Sequence, residues 1–254
     1  MNNFSQTISD IWVMINRNLI KYRRVPQLLV FSTIQPVMFL LLFTYVFGGA
    51  IKTGVDYISF LLPGILVQTV LFGSMQTGVG LAEDLSKGMI DRFRSLPMAR
   101  SAVLAGRTIT DVIRNIFVVI LMTVVGLVIG FRIDHGIFNY LGAVALISLF
   151  GFAFTWISAT IGLAVKNIET AQVAGFIWVF PLAFASSIFV PVESMSNGLQ
   201  IFAKHTPITY TVDTVRALIL GTPVGNNAWF SLIWILGILV VFMPLAVSRY
   251  RKIT

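Results

Sequence analysis

The chain has 254 residues, of which 57% are apolar and only 11% are charged. A soluble domain carries about 25% charged residues, so this balance excludes an ordinary globular enzyme and points to a polytopic membrane protein. The net charge of +8 does not argue for a nucleic-acid partner, because most basic residues flank apolar spans; the absence of cysteine excludes disulfides, thiol catalysis and cysteine-based metal sites.

The N-terminus, MNNFSQTISD, has no basic start, apolar core or small-residue cleavage site. It does not read as a signal peptide, and the first span is expected to remain as an anchor. Residues 1–25 read instead as an amphipathic helix. Ile8, Ile11, Trp12, Ile15 and Leu19 share one stripe, while Asp10, Arg17, Lys21 and Arg24 lie away from it. Such a helix suits the membrane interface, with Trp12 at headgroup level and Arg17, Lys21 and Arg24 towards anionic lipid. Packing on a soluble partner is the other reading of the same stripe.

A helical span needs about 20 mostly apolar residues to cross roughly 30 Å of hydrocarbon. Six segments qualify: 28–47, 57–79, 109–130, 138–165, 171–190 and 228–247. The fold class is therefore all-α, one transmembrane domain over residues 1–254, with both termini on one side. Thirteen Lys and Arg residues near span ends fall on the side of the termini and four on the other. The excess of positive charge predicts that the termini are cytoplasmic in the cell membrane.

Between the second and third spans lies a charged, amphipathic segment, EDLSKGMIDRFRSLPMARSAVLAGR, from Glu83 to Arg107. Leu85, Met89, Phe93 and Leu96 recur at helical spacing and predict a helix over 83–96. Pro97 stops it. Ser101 is placed to cap a new helix that runs into the third span. That helix would be about 30 residues, or ~45 Å, so its first turns project from the bilayer. There Arg107, Asp111 and Arg114 have the spacing of a charge ladder along a stalk.

Polar side chains within the spans are few: Gln35, Gln68, Gln76, Asn115 and Gln172. Asp111, Arg114 and Glu169 lie near span ends, which leaves the deep interior without ionisable groups. That argues against an ion-coupled transporter and against an ion channel. Gln35 and Gln68, with Phe39, Phe72, Phe176 and Phe180, are candidates to line a path for an amphipathic solute. Interhelical hydrogen bonds and ordinary lipid-facing surface account for the same residues. Gly126 and Gly130 form one GxxxG, a weak sign of close helix packing.

Between the fifth and sixth spans, residues 191–227 are too polar for a span and too patterned for a loop. Two short outer helices are expected, 195–203 and 207–220, within a capping segment 194–221. Thr206-Pro207 is a good helix start and Gly221 a good stop. The two histidines, His135 and His205, lie in outer loops and do not read as catalysts or ligands.

No G-x-x-x-x-G-K-[ST] phosphate loop occurs, and GAIKTG at 49–54 has the wrong spacing. No paired carboxylates, HExxH or Ser/His/Asp arrangement stands out. The chain is therefore expected to bind no cofactor or metal and not to be an enzyme by itself. It reads as a conduit whose energy comes from a partner.

Several motifs resemble those of type-2 ABC export permeases, in particular the daunorubicin-resistance (DrrB-like) group. Lys87-Gly88-Met89-Ile90-Asp91-Arg92-Phe93-Arg94-Ser95-Leu96-Pro97 is similar to the family's K/R-G-x-x-[DE]-R-[LF]-[RQ]-[ST]-[LM]-P pattern. Gly106-Arg107 opens the third span and Gly130-Phe131-Arg132 closes it in the same way. Thr206-Pro207-Ile208-Thr209, with Asp213, Arg216-Ala217-Leu218 and Gly221, resembles the family's N-P-[LI]-T…D-x-x-R-x-L…G segment. Thr206 stands where Asn is usual, and both residues can cap a helix.

The resemblance implies a coupling helix seated on a separate ATPase subunit. Glu83, Asp84, Lys87, Met89, Ile90, Asp91, Arg92, Phe93 and Arg94 would form that contact, flanked by the N-terminal helix. It further implies two ATPase copies carrying ATP and Mg, a second permease copy making a homodimer, and export of an amphipathic drug, lipid or glycolipid. A membrane-integral enzyme of lipid metabolism and a non-transporting scaffold are the alternatives from other functional classes.

Overall fold

The computed structural model describes residues 4–51, 53–89, 100–133, 135–165 and 167–252. Among them every regular element is helical. The order is α1 (Phe4–Arg24), α2 (Gln27–Leu42) running on into a π-helical turn (Phe43–Phe47), α3 (Tyr57–Ser86), α4 (Arg100–Ile129) and α5 (Ile137–Ala164). Then come α6 (Ile168–Phe184), a 3₁₀ turn (Val192–Ser194), α7 (Asn197–Lys204), α8 (Pro207–Leu220) and α9 (Asn227–Lys252).

Four of these helices, within α3, α4, α5 and α9, are long and apolar enough to cross a membrane. The remaining two expected spans fall on shorter apolar helices, Ser32–Phe47 and Ile168–Phe184. The fifth expected span is the clearest change. Helix α6 stops at Phe184 instead of reaching Val190; beyond it the Ser187 and Phe189 carbonyls accept from Arg216 and Tyr57 rather than from the next turn of a helix.

Helix α3 is the hub and packs against α2, α4, α5, α6 and α8. In its most apolar window 78% of the residues are buried, against 22% for α9 on the periphery. Small residues let the hub's neighbours approach closely. A Cβ at Gly162 would overlap the Gly78 carbonyl, and one at Gly78 would overlap that of Ser158, so α3 and α5 cross backbone to backbone.

The two ends of the bundle differ. At the terminal end, Met14, Leu81, Leu104, Leu163 and Tyr250 bring α1, α3, α4, α5 and α9 into one cluster. Helix α1 lies along α4: it buries Met14 and Ile15 and leaves Ile8 and Trp12 exposed. Its apolar stripe is thus divided between the bundle and the surroundings.

At the far end, the expected outer helices are present, with α7 starting at Asn197 rather than Met195. Thr206 caps α8 by accepting from the Thr209 N–H at 3.2 Å, Pro207 follows it, and Gly221 closes the helix at φ 65°. The side chain of His135 fills the space a Cβ at Gly221 would need.

The segment between α3 and α4 departs from the expected single helix over 83–96. Glu83 to Ser86 complete α3, and the chain turns at Lys87 and Gly88. The Lys87 N–H caps the Glu83 carbonyl at 3.0 Å, and Gly88 takes φ 62°, the left-handed stop that glycine permits. Ser101 lies within α4, which runs from Arg100. Residues 90–99, including Ile90, Asp91, Arg92, Phe93 and Arg94, lie outside the described residues.

Candidate functional site: a cavity walled by α3 and α4

Helices α1, α2, α3, α4 and α6 enclose a cavity of about 420 Å³. This lies within the roughly 300–1,000 Å³ typical of ligand pockets. One face of α3 supplies Gln68, Phe72, Gln76 and Gly80, spaced four residues apart. From α4 come Arg107, Asp111, Arg114 and Asn115; α2 adds Gln35 and Phe39, and α6 adds Gln172 and Phe176. Five of the six residues expected on a solute path therefore meet in one wall. Phe180 lies behind it, its ring 5.3 Å from Phe72 edge-on and 5.2 Å from Phe176.

The terminal end of the cavity is charged but balanced. Arg17, Arg107 and Arg114 line it with Glu83, Asp84 and Asp111. Arg107 Nη1 donates to Asp84 Oδ2 at 2.7 Å, tying the start of α4 to the end of α3. The guanidinium lies directly over Gly80, where a Cβ would collide with it. Lys87 pairs with Glu83 at 2.5 Å on the exposed side, and that bond holds its ammonium above the usual lysine range. Met89 is half-buried.

The expected charge ladder along a stalk is only partly formed. Arg107 turns to Asp84 instead of Asp111, and the remaining pair is buried, with Asp111 3% and Arg114 7% exposed. The interior thus holds ionisable groups that span arithmetic had placed at its edge. A buried charge is tolerated when its hydrogen bonds are met. Arg114 donates to the Gly73 carbonyl at 2.7 Å, to Asn115 Oδ1 at 3.2 Å and to the Tyr22 hydroxyl at 3.2 Å. Asp111 Oδ1 lies 3.5 Å from it, and the other Asp111 oxygen accepts from Thr77. Tyr22, Gly73, Thr77 and Asn115 thereby fasten α1, α3 and α4 together.

Of the remaining N-terminal candidates, Trp12 and Arg24 are exposed and away from the cavity, whereas Arg17 is in its wall. Lys21 lies on the same helix. Sequence reasoning missed Asn18, Tyr22 and Gln172 as members of the site, and Thr77 as the buried partner of Asp111. The four-residue repeat of Gln68, Phe72 and Gln76, set against Asp111 and Asn115, was the signal that could have joined α3 to α4.

At the far end the cavity gives way to phenylalanine. Phe39, in the wall, lies 6.0 Å from Phe189, which stacks on Phe43 at 4.4 Å and Phe184 at 5.2 Å. Phe180 and Phe176 continue this row back to the wall. Phe189 belongs to the non-helical stretch after α6, where Ser186, Ser187 and Ile188 are also buried. Its backbone is held from elsewhere: Tyr57 donates to the Phe189 carbonyl at 3.0 Å, and Arg216 to that of Ser187 at 2.8 Å. Arg216 also bonds Asp213 at 2.8 Å and the Phe60 carbonyl at 3.0 Å, with its guanidinium 3.7 Å above the Phe60 ring.

Among the described residues, a bundle of helices, four of them of membrane-crossing length, around a polar cavity defines a polytopic membrane protein. The particular family follows from comparison: the sequence profile of the ABC-2 type transporters matches residues 9–220, and the chain belongs to that family. It is 34% identical to the daunorubicin resistance ABC transporter permease protein DrrB1 of Streptomyces coeruleorubidus, over 98% of this chain and 87% of that one. A probable doxorubicin resistance ABC transporter permease protein, DrrC of Mycobacterium tuberculosis, is 26% identical over 97% and 90%. The putative transport permease ycf38 of Cyanophora paradoxa is 28% identical over 83% and 74%. The chain is thus the membrane permease subunit of an ABC exporter.

Proposed function

We propose that this permease moves an amphipathic drug-like molecule, of the kind named in its relatives' resistance phenotypes, through the α3–α4 cavity. The work would come from a separate ATPase subunit, present in two copies with ATP and Mg, joined to a pair of identical permeases. Both termini and the 83–96 segment then face the cytoplasm. The observation that carries this reading is the placement of Asp84 and Arg107. Asp84 lies at the start of the segment that would sit on the ATPase and Arg107 lies beyond its end, and both side chains are part of the cavity wall. A shift of that segment therefore acts on the wall directly, so binding of ATP to one conformation biases the cavity between two states.

The polar half, with Gln35, Gln76 and Gln172, offers hydrogen bonds to an uncharged polar group. The half with Phe39, Phe72 and Phe176 offers aromatic surface to an apolar one. Three cations and three carboxylates in the wall leave no net charge to select an ion.

The test is an Arg92→Glu/Phe93→Ala double substitution, with doxorubicin as the transported probe in cells that also express the ATPase subunit. Transport should be abolished while the chain inserts at its normal level. Normal transport by a well-inserted double variant would overturn the coupling role.

A further inference from the structure

A second, smaller recess of about 270 Å³ lies on the outer side of the cavity wall, between α1, α2 and α4. Leu19, Leu29, Ile113 and Phe117 form its sides. Ile113 and Phe117 remain 41% and 49% exposed, so the described residues leave them partly uncovered. Tyr22 and Arg114 form its back, and the same two residues line the cavity on the other side. The recess is thus one side chain deep from the transport path. Arg23 lines it as well, yet the walls are almost wholly apolar. Arg23 therefore contributes its aliphatic stem, and its guanidinium stands at the rim, as long basic side chains do at a membrane interface.

The charge around this rim is one-sided. The run Arg17–Arg24, RNLIKYRR, has four basic residues and no acid. Arg23 and Arg24 are exposed and have no hydrogen-bond or ion-pair partner among the described residues. No acidic residue lines the recess among the described residues; Asp84 and Asp111 line the larger cavity and are paired with Arg107 and Arg114. An apolar slot with an unpartnered cation at its mouth, in a chain that belongs to a membrane family, matches one kind of occupant.

We infer that the α1–α2–α4 recess is a binding site for a membrane phospholipid with an anionic headgroup. One acyl chain lies along Leu19, Leu29, Ile113 and Phe117, and the phosphate sits on Arg23. The lipid fills the angle between the N-terminal helix and the bundle and packs on the back of Tyr22, opposite the cavity. A basic residue near an anionic membrane surface contributes about 1 kcal/mol, or roughly a fivefold preference. A zwitterionic lipid fits the same slot without that preference.

The experiment uses the full chain in nanodiscs of equal parts phosphatidylglycerol and phosphatidylcholine. Retained lipid is counted by native mass spectrometry after gentle detergent extraction. The wild type should retain phosphatidylglycerol over phosphatidylcholine by about fivefold. Arg23→Ala should bring that ratio close to one without changing the amount of phosphatidylcholine kept. Ile113→Trp, which fills the slot, should reduce retention of both lipids. Equal retention of the two lipids by the wild type, or a preference unchanged in Arg23→Ala, would overturn the site.

Discussion

The two ends of the bundle each carry a D-x-x-R pair, Asp111–Arg114 on α4 and Asp213–Arg216 on α8, and use it in opposite ways. At the terminal end the ions are 3.5 Å apart and each is engaged mainly by others, Asp111 by Thr77 and Arg114 by Gly73, Asn115 and Tyr22. At the far end the pair is closed at 2.8 Å, and the guanidinium also clamps the carbonyls of Phe60 and Ser187. The first pair joins three helices around an open space. The second ties a non-helical stretch under a row of phenylalanine rings. One helical spacing thus serves a shared network around a cavity at one end and a closed clamp on backbone carbonyls at the other, and the neighbouring residues decide which.

Removing the cation at each end separates the two roles. Asp111 is nearly inaccessible, with a side chain 5% exposed, so Arg114→Ala leaves an uncompensated buried charge. It should cost about 3–5 kcal/mol, seen as a large drop in the melting temperature of the purified chain. Restored stability in an Asp111→Leu/Arg114→Met double variant would show that the cost is the orphaned charge rather than lost volume.

At the far end the fork matters more than the charge. Arg216→Lys keeps the cation but loses the geometry that reaches two carbonyls, Asp213 and the Phe60 ring together. A loss of about 2 kcal/mol is expected, from hydrogen bonds to a charged group. A melting curve unchanged in that variant would mean the clamp is only an ion pair. Tyr22→Phe removes one of several partners of Arg114 and should cost about 1 kcal/mol.

The smallest stability effect belongs to the open wall. Gln172→Ala, at an exposed position on the cavity, should shift stability by no more than about 0.5 kcal/mol while lowering transport of doxorubicin. A variant that leaves both unchanged would remove Gln172 from the path.

Much of this was legible in the sequence, and the exceptions share a cause. Helices α3, α4, α5, α8 and α9 follow from apolar length, Thr206-Pro207 and Gly221, signals that are local to the chain. The early end of α6 is less visible, because residues 185–190 carry no charge and continue an apolar run. Their backbone is satisfied by Tyr57 and Arg216, more than 25 residues away in either direction. The same holds for the site. Gln35, Phe39, Gln68, Phe72 and Phe176 stood out as polar or aromatic residues within apolar runs. Tyr22 and Thr77 did not, since each gains its role only when α1 and α3 meet α4. Arg107 was expected to pair along its own helix, and it reaches across to Asp84 instead.

If the α3–α4 cavity carries the transported molecule, it is an aqueous chamber that this molecule occupies. Because the chain has no cysteine, single cysteines can be introduced without background. Gln76→Cys, on the exposed cavity face of α3, should react rapidly with a membrane-impermeant maleimide, and doxorubicin should slow that reaction. Ser74→Cys, two residues away and fully buried, should be inert under the same conditions. Equal labelling at both positions, or labelling at Gln76→Cys that saturating doxorubicin does not slow, would mean that the transported molecule does not occupy this cavity.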